Sequence, residues 1–209
     1  VEIEDRAFEN CRMLSSVNFA EDGAVTTIGD WAFGDSECTE TVVIGNGVKT
    51  IGEYAFSNAG IVNLHMGSGI ETIGCYAFAN NQFATIQLPE SLQTIEYSAF
   101  AYNYELTSLT LPDGLQNIDE YAFEECTGLT EMIIPDSVTG MGIGVFYNYT
   151  GLKSVQFGAG MDGIVGETFS GCTSLNDVIF GSNIAEIQYE AFYGCAGLIE
   201  ITIPEGVTR

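Results

Sequence analysis

Six cysteines and one histidine carry the most reactive side chains in this 209-residue chain. No Cys-x-x-Cys pair occurs, so the usual zinc-ribbon and dithiol signatures are absent. His65 has no second histidine and no Ser or Cys nucleophile signature to work with, so the sequence does not support a catalytic triad. We therefore predict that the protein is not an enzyme and that it needs no cofactor.

Four of the cysteines share one position, three residues after a Phe that follows a small residue: Cys11, Cys126, Cys172 and Cys195. Asn81 and Asn103 hold the same position, where side chains often satisfy buried backbone groups. We predict a ladder of buried, weakly hydrogen-bonded thiols, because a ladder points all its ligands one way and a metal ion needs them to converge. The best remaining disulfide candidate is Cys11 with Cys38.

Carboxylates and tyrosines are the candidates for binding a partner. Glu131, Asp177 and Glu200 fall on one predicted outward row, where they could take a basic partner or bind Ca²⁺ weakly; a solvated face is the alternative. Five tyrosines follow the recurring Phe in the adjoining turn: Tyr102, Tyr104, Tyr147, Tyr149 and Tyr193. Such rings could stack on sugars or dock a protein, unless each ring simply covers its neighbour.

The element that must position these residues is an internal repeat. Its anchor is a Phe that recurs nine times at steps of 22 to 25 residues: Phe8, Phe33, Phe56, Phe78, Phe100, Phe123, Phe146, Phe169 and Phe192. An aliphatic residue stands five positions before each anchor, as Ile95 does before Phe100. Recurrence at a fixed period indicates a solenoid, in which each coil buries its apolar face only against its neighbours.

A short strand is predicted in every repeat after the anchor. Two inward columns two residues apart, such as Leu109 and Leu111, give the period of a strand with one buried face. A small residue or a proline follows, such as Pro112, and ends the strand. The outward positions, His65 among them, are small, polar and aliphatic. They lack Trp, Tyr and Arg, the types favoured at interface hot spots, so they do not predict a high-affinity protein site.

The consensus of these columns resembles the BspA-like class of leucine-rich repeats. The segment from Leu106 to Pro112, with Ile118 and the Tyr121-Ala122-Phe123 triplet, is a close match to that family. The resemblance implies an α/β repeat fold: a right-handed solenoid or horseshoe with a parallel β-sheet on one face and short helical or 3₁₀ turns on the other. We expect residues 1–209 to form one leucine-rich-repeat solenoid of about nine repeats, and we expect the native polypeptide to continue at one or both ends.

The net charge of −24, from 29 acidic and 5 basic residues, argues against nucleic-acid and anionic-membrane partners. No apolar run is long enough for membrane insertion. Members of the resembled family are mostly surface proteins that bind other molecules. We therefore expect an extracellular or cell-surface protein that binds a protein or glycan partner. Two alternatives stay open: a structural repeat block of a wall, sheath or filament, with end-to-end self-association, and carbohydrate recognition through the Tyr-rich edge.

Overall fold

Short parallel strands stacked along one axis build the chain. The computed structural model describes residues 1–37 and 39–209. One series of strands contains the aliphatic residue five positions before each anchor Phe: β1 Glu2–Ile3, β3 Thr27–Ile28, β5 Thr50–Ile51, β7 Thr72–Ile73, β9 Thr94–Ile95, β11 Asn117–Ile118, β13 Gly140–Met141, β15 Gly163–Ile164 and β17 Glu186–Ile187. The second series is the one predicted from the outward and inward columns: β2 Ser16–Asn18, β4 Thr41–Val43, β6 Asn63–His65, β8 Thr85–Gln87, β10 Ser108–Thr110, β12 Glu131–Ile134, β14 Ser154–Phe157 and β16 Asp177–Ile179.

Each strand pairs in parallel with its counterpart one repeat away. The first series forms a seven-stranded sheet from β1 to β13 and a separate β15–β17 pair. The second series forms three sheets, β2–β4–β6, β8–β10 and β12–β14–β16. The register places equivalent residues side by side, such as Ile28 against Ile51 and Val42 against Leu64. A pairing step of one repeat is what a stack of coils requires, so the predicted parallel solenoid is confirmed.

A column of stacked phenyl rings fills the core, as the repeat predicts. The nine anchor rings form eight successive pairs with centroids 5.0 to 5.9 Å apart and planes within 12° of parallel. Six anchors, from Phe56 to Phe169, are fully buried, whereas Phe8 in the first coil is 43% exposed. One apolar cluster surrounds this column and extends from Val17 to Cys195. Each coil is thus held by its two neighbours.

The predicted helical or 3₁₀ turns are wrong, because the described residues contain only turns on that side of the coil. The residue two before each anchor has a positive φ of 49° to 61°, and in four of the coils it is aromatic: Trp31, Tyr54, Tyr76 and Tyr121. A left-handed residue interrupts the run of right-handed residues that a helix needs. The backbone instead bonds between coils: the amides of Trp31 and Phe33 donate to the carbonyls of Glu53 and Ala55, each at 2.8 Å. The fold is therefore an all-β solenoid rather than an α/β repeat.

No helix in residues 1–37 and 39–209 has the length and apolar character needed to cross a bilayer.

Candidate functional site

The outer face of the second strand series is the surface where side chains are presented in regular rows. In β6 and β8 the middle residue is buried and its two neighbours are exposed. This alternation follows from the period of two in a strand, and the parallel register extends it from coil to coil. His65 lies on this exposed face, as predicted. The result is a set of outward rows over a rigid aromatic core.

Two of the three predicted carboxylates lie on one sheet of this face. Glu131 on β12 pairs in register with Ser154 on β14, which pairs with Asp177 on β16. The two acids are exposed and lie two strand spacings apart, about 10 Å between backbones. Glu200 is also exposed and lies in the next coil, outside the strands. The residues that the structure describes form no group of three His, Cys, Asp or Glu side chains able to hold a metal ion.

Two exposed isoleucines share this sheet with the carboxylates, and neither is among the candidates predicted from the sequence. Ile133 on β12 is 62% exposed and Ile179 on β16 is 51% exposed. Both flank Gln156 on β14 in the paired register. Aliphatic residues at outward positions were the signal in the sequence, since most outward positions are small and polar. Acidic and apolar side chains therefore lie together on β12–β14–β16.

The position three residues after each anchor is a ladder of side-chain bonds to backbone carbonyls. Asn103 donates through Nδ2 to the carbonyls of Phe100 at 2.7 Å and Phe78 at 3.0 Å. Cys126 also bonds an anchor carbonyl, because its Sγ donates to the Phe100 carbonyl at 3.0 Å. The Cys172 and Cys195 thiols also donate to anchor carbonyls, at 3.3 and 3.1 Å. The predicted ladder is thus confirmed for these three cysteines.

The ladder thiols are poor nucleophiles. Burial raises the pKa of Cys126 to about 12 and that of Cys195 to about 11, and it also raises the pKa of Cys172. A thiolate is the reactive form of cysteine, so these groups stay protonated and inert at neutral pH. Cys11 differs from them because it lies exposed in the first coil. The predicted Cys11–Cys38 pairing involves Cys38, which lies outside the described residues.

One of the five predicted tyrosines lies in the core. Tyr149 is fully buried and packs edge to face against Phe146, with ring centroids 5.8 Å apart. It stands three residues after that anchor, in the column that holds Cys126 and Asn103 in other coils. Column position was therefore the signal for its burial. Tyr149 cannot contact a partner, and we remove it from the candidate surface.

Tyr102 and Tyr104 are bonded to acidic side chains within the chain, whereas Tyr193 is largely exposed. The hydroxyl of Tyr102 donates to Glu124 at 2.9 Å, and that of Tyr104 donates to Glu125 at 3.2 Å. Burial, together with the bond to Glu124, raises the pKa of Tyr102. Tyr193 is 68% exposed.

A row of aromatic rings also runs along the outside of the turns. Trp31, Tyr54 and Tyr76 stack with centroids 4.3 and 4.6 Å apart. The row continues edge to face through Tyr97 and Tyr121 and ends at Tyr147: the three successive centroid distances are 5.3, 6.0 and 6.1 Å. The Arg6 guanidinium lies 5.6 Å from the centre of the Trp31 ring and covers the other end. Stacking covers the ring faces that Trp31, Tyr54 and Tyr76 turn toward one another, so these three residues present ring edges there rather than the flat faces that stack on sugars.

The comparison with known families follows the same repeat. The model for the BspA type leucine rich repeat region matches six copies, over residues 1–106 and 94–209. The chain belongs to this family. The predicted resemblance is thereby confirmed across the whole length.

Solved structures of leucine-rich-repeat proteins share the fold of this family member. A leucine-rich repeat protein from Bacteroides ovatus is 26% identical, with a TM-score of 0.50 over 99% of this chain and 71% of that chain. The leucine rich repeat protein of T. pallidum is 22% identical, with a TM-score of 0.58 over 95% of this chain and 71% of that chain. No curated protein sequence matches the chain.

Proposed function

We propose that this BspA-type solenoid is a non-enzymatic, secreted or surface-displayed protein that binds a macromolecular partner through the outer face of β12–β14–β16. The observation that carries the proposal is the joint exposure of Glu131 and Asp177 with Ile133 and Ile179 on one sheet. Such a face offers charge for orientation and apolar surface for affinity.

The charge of the chain determines the chemistry of the partner. The stretch from residue 50 to residue 152 holds twelve acidic residues and no Lys or Arg. An anionic partner would be repelled over this whole length, whereas a basic one would be drawn in. We therefore propose a protein partner with exposed Lys or Arg side chains. High net charge also keeps a secreted chain soluble, in keeping with an extracellular or cell-surface location.

Our proposal that the protein is not an enzyme is supported by the positions of the thiols and of the histidine. The ladder thiols are buried with raised pKa values, and the sole histidine is exposed on β6. None of these thiols is positioned as a nucleophile beside a general base, which covalent catalysis requires. We infer that binding, rather than turnover, is the function of the described part of the chain.

A phage-displayed library of random peptides tests the proposal, with the immobilised 209-residue chain as bait. We expect enriched peptides to carry Lys or Arg and to lose binding to the triple variant Glu131→Gln, Asp177→Asn, Glu200→Gln. The matched control neutralises three exposed acids among the turns, with the same change in net charge: Glu53→Gln, Glu120→Gln and Glu190→Gln. Equal loss in both variants, or no loss in the first, contradicts the proposal.

Two other assays separate the remaining hypotheses. Saturable binding on a glycan array that Tyr193→Ala abolishes would replace our proposal with carbohydrate recognition. Concentration-dependent end-to-end assembly in light scattering, with no enriched peptide, would replace it with a structural role.

A further inference from the structure

The register of β12, β14 and β16 sets two kinds of side chain at a fixed spacing. In the first row Ser154 lies between Glu131 and Asp177. In the second row Gln156 lies between Ile133 and Ile179. The two rows are two residues apart along each strand, which is about 6.6 Å.

The small side chain of Ser154 leaves a gap between the two carboxylates. Their backbones are about 10 Å apart, so a cation seated over Ser154 has a carboxylate on either side. The half-buried Ser154 contrasts with the exposed Glu131 and Asp177, which stand further into solvent. This gap suits an ammonium or guanidinium group on a flexible side chain.

The second row offers apolar contact at a matching distance. A side chain laid over Gln156 would touch both Ile133 and Ile179, which are 62% and 51% exposed. An extended segment repeats its side chains on one face every two residues, also about 6.6 Å. A residue three positions along an extended segment points to the opposite face and misses this row.

We propose that β12–β14–β16 recognises an extended segment with a Lys or Arg and an aliphatic residue two positions apart. The cation lies over Ser154 between Glu131 and Asp177, and the aliphatic side chain lies over Gln156 between the isoleucines. This inference rests on the proposed function and adds a sequence pattern to its partner.

Lys153 is the positive charge next to the first row in the sequence. It directly precedes Ser154, is exposed, and has no part in the four ion pairs found in the described residues. Its removal raises the local negative charge. We therefore expect Lys153→Ala to tighten binding of a cationic segment about twofold, in line with the small energies of exposed ion pairs.

Two fluorescein-labelled heptapeptides of identical composition test the spacing by fluorescence anisotropy with the 209-residue chain. Both carry one Lys and one Val in a Thr host, at i and i+2 in one peptide and at i and i+3 in the other. We expect the i,i+2 peptide to bind about tenfold more tightly, because only its Val is buried between the isoleucines. Equal affinities, or no binding of either peptide up to millimolar concentration, overturn the inference.

Variants identify the site of binding. Ile133→Ser with Ile179→Ser should remove the preference for the i,i+2 peptide, whereas the control Val62→Ser, at another exposed aliphatic residue, should keep it. Glu131→Gln with Asp177→Asn should weaken both peptides about threefold at low salt. A preference that survives the serine variants overturns the inference.

The outcomes also distinguish this inference from the proposed function. If the phage peptides depend on the carboxylates but show no i,i+2 pattern, the face binds basic partners and the spacing inference is wrong. If they bind independently of the carboxylates, the proposed function fails as well.

Discussion

Replacing Phe123 with Ala should remove more stability than the same change at Phe8, because the two rings differ in how many neighbours they have. Phe123 is fully buried and stacks on Phe100 at 5.5 Å and on Phe146 at 5.9 Å. Truncation of such a side chain costs about 3–5 kcal/mol, since the lost contacts leave a cavity. Phe8 is 43% exposed and stacks only on Phe33, at 5.0 Å. Its truncation should cost about 1–2 kcal/mol, since water fills the space.

Urea unfolding followed by circular dichroism gives both free energies of unfolding. A stack held by nearest neighbours can also divide at a weakened coil, so Phe123→Ala should separate two transitions more readily than Phe8→Ala. Fluorescence of Trp31, the single tryptophan, reports unfolding of the N-terminal coils. In Phe123→Ala its transition midpoint should then differ from the midpoint of the far-ultraviolet circular dichroism signal. A loss at Phe123 no larger than that at Phe8 would refute the argument that the ring column holds the coils together.

Four further predictions concern the ladder and the charge. Asn103→Ala should lower the free energy of unfolding by about 1–3 kcal/mol, because the buried Asn81 amide loses its acceptor, Asn103 Oδ1, and the Phe78 and Phe100 carbonyls each lose one donor. Asn103→Cys should recover part of this loss by restoring a donor, and urea titrations that rank the two variants otherwise contradict this. At pH 8 iodoacetamide should label Cys11 but not the folded-state thiol of Cys126, as peptide mapping would show. Burial raises the pKa of Cys126 to about 12, so its contribution to stability is present below the pKa of the unfolded thiol, about 8.5, and is lost as pH rises toward 12. The melting temperature should therefore fall over this range, and a constant melting temperature contradicts the prediction. Partial burial also raises the pKa of Asp119 and Glu124, so their contribution is present near pH 4 and is lost as pH rises through the folded values. The melting temperature should therefore fall between pH 4 and pH 7.5, and a rise over this range contradicts the prediction.

The core could be predicted from the sequence because it depends on columns that recur in every coil. A single apolar position says little, but nine Phe residues at one period permit only a stack in which each ring meets the next. The side-chain ladder could be predicted for the same reason, since Asn103 and Cys126 occupy one column and satisfy the same kind of carbonyl.

The turns and part of the site could not be predicted in the same way. Residues such as Trp31 and Tyr121 rarely adopt positive φ, so their types did not indicate that each turn contains a residue in the left-handed region. Hydrogen bonds between the backbones of neighbouring coils fix that conformation, so it is a tertiary effect. Burial of Tyr149, by contrast, was readable from its column. Exposure of Ile133 and Ile179 was readable too, but the spacing of the site required the register of three strands.

A photo-crosslinking residue at position 156 tests the binding surface most directly. With p-benzoylphenylalanine in place of Gln156, we expect crosslinks to the enriched basic peptides, near their Lys or Arg. The same crosslinker at position 120, on the turns, serves as the control and should give none. Crosslinks from position 120 with none from position 156 would contradict the account.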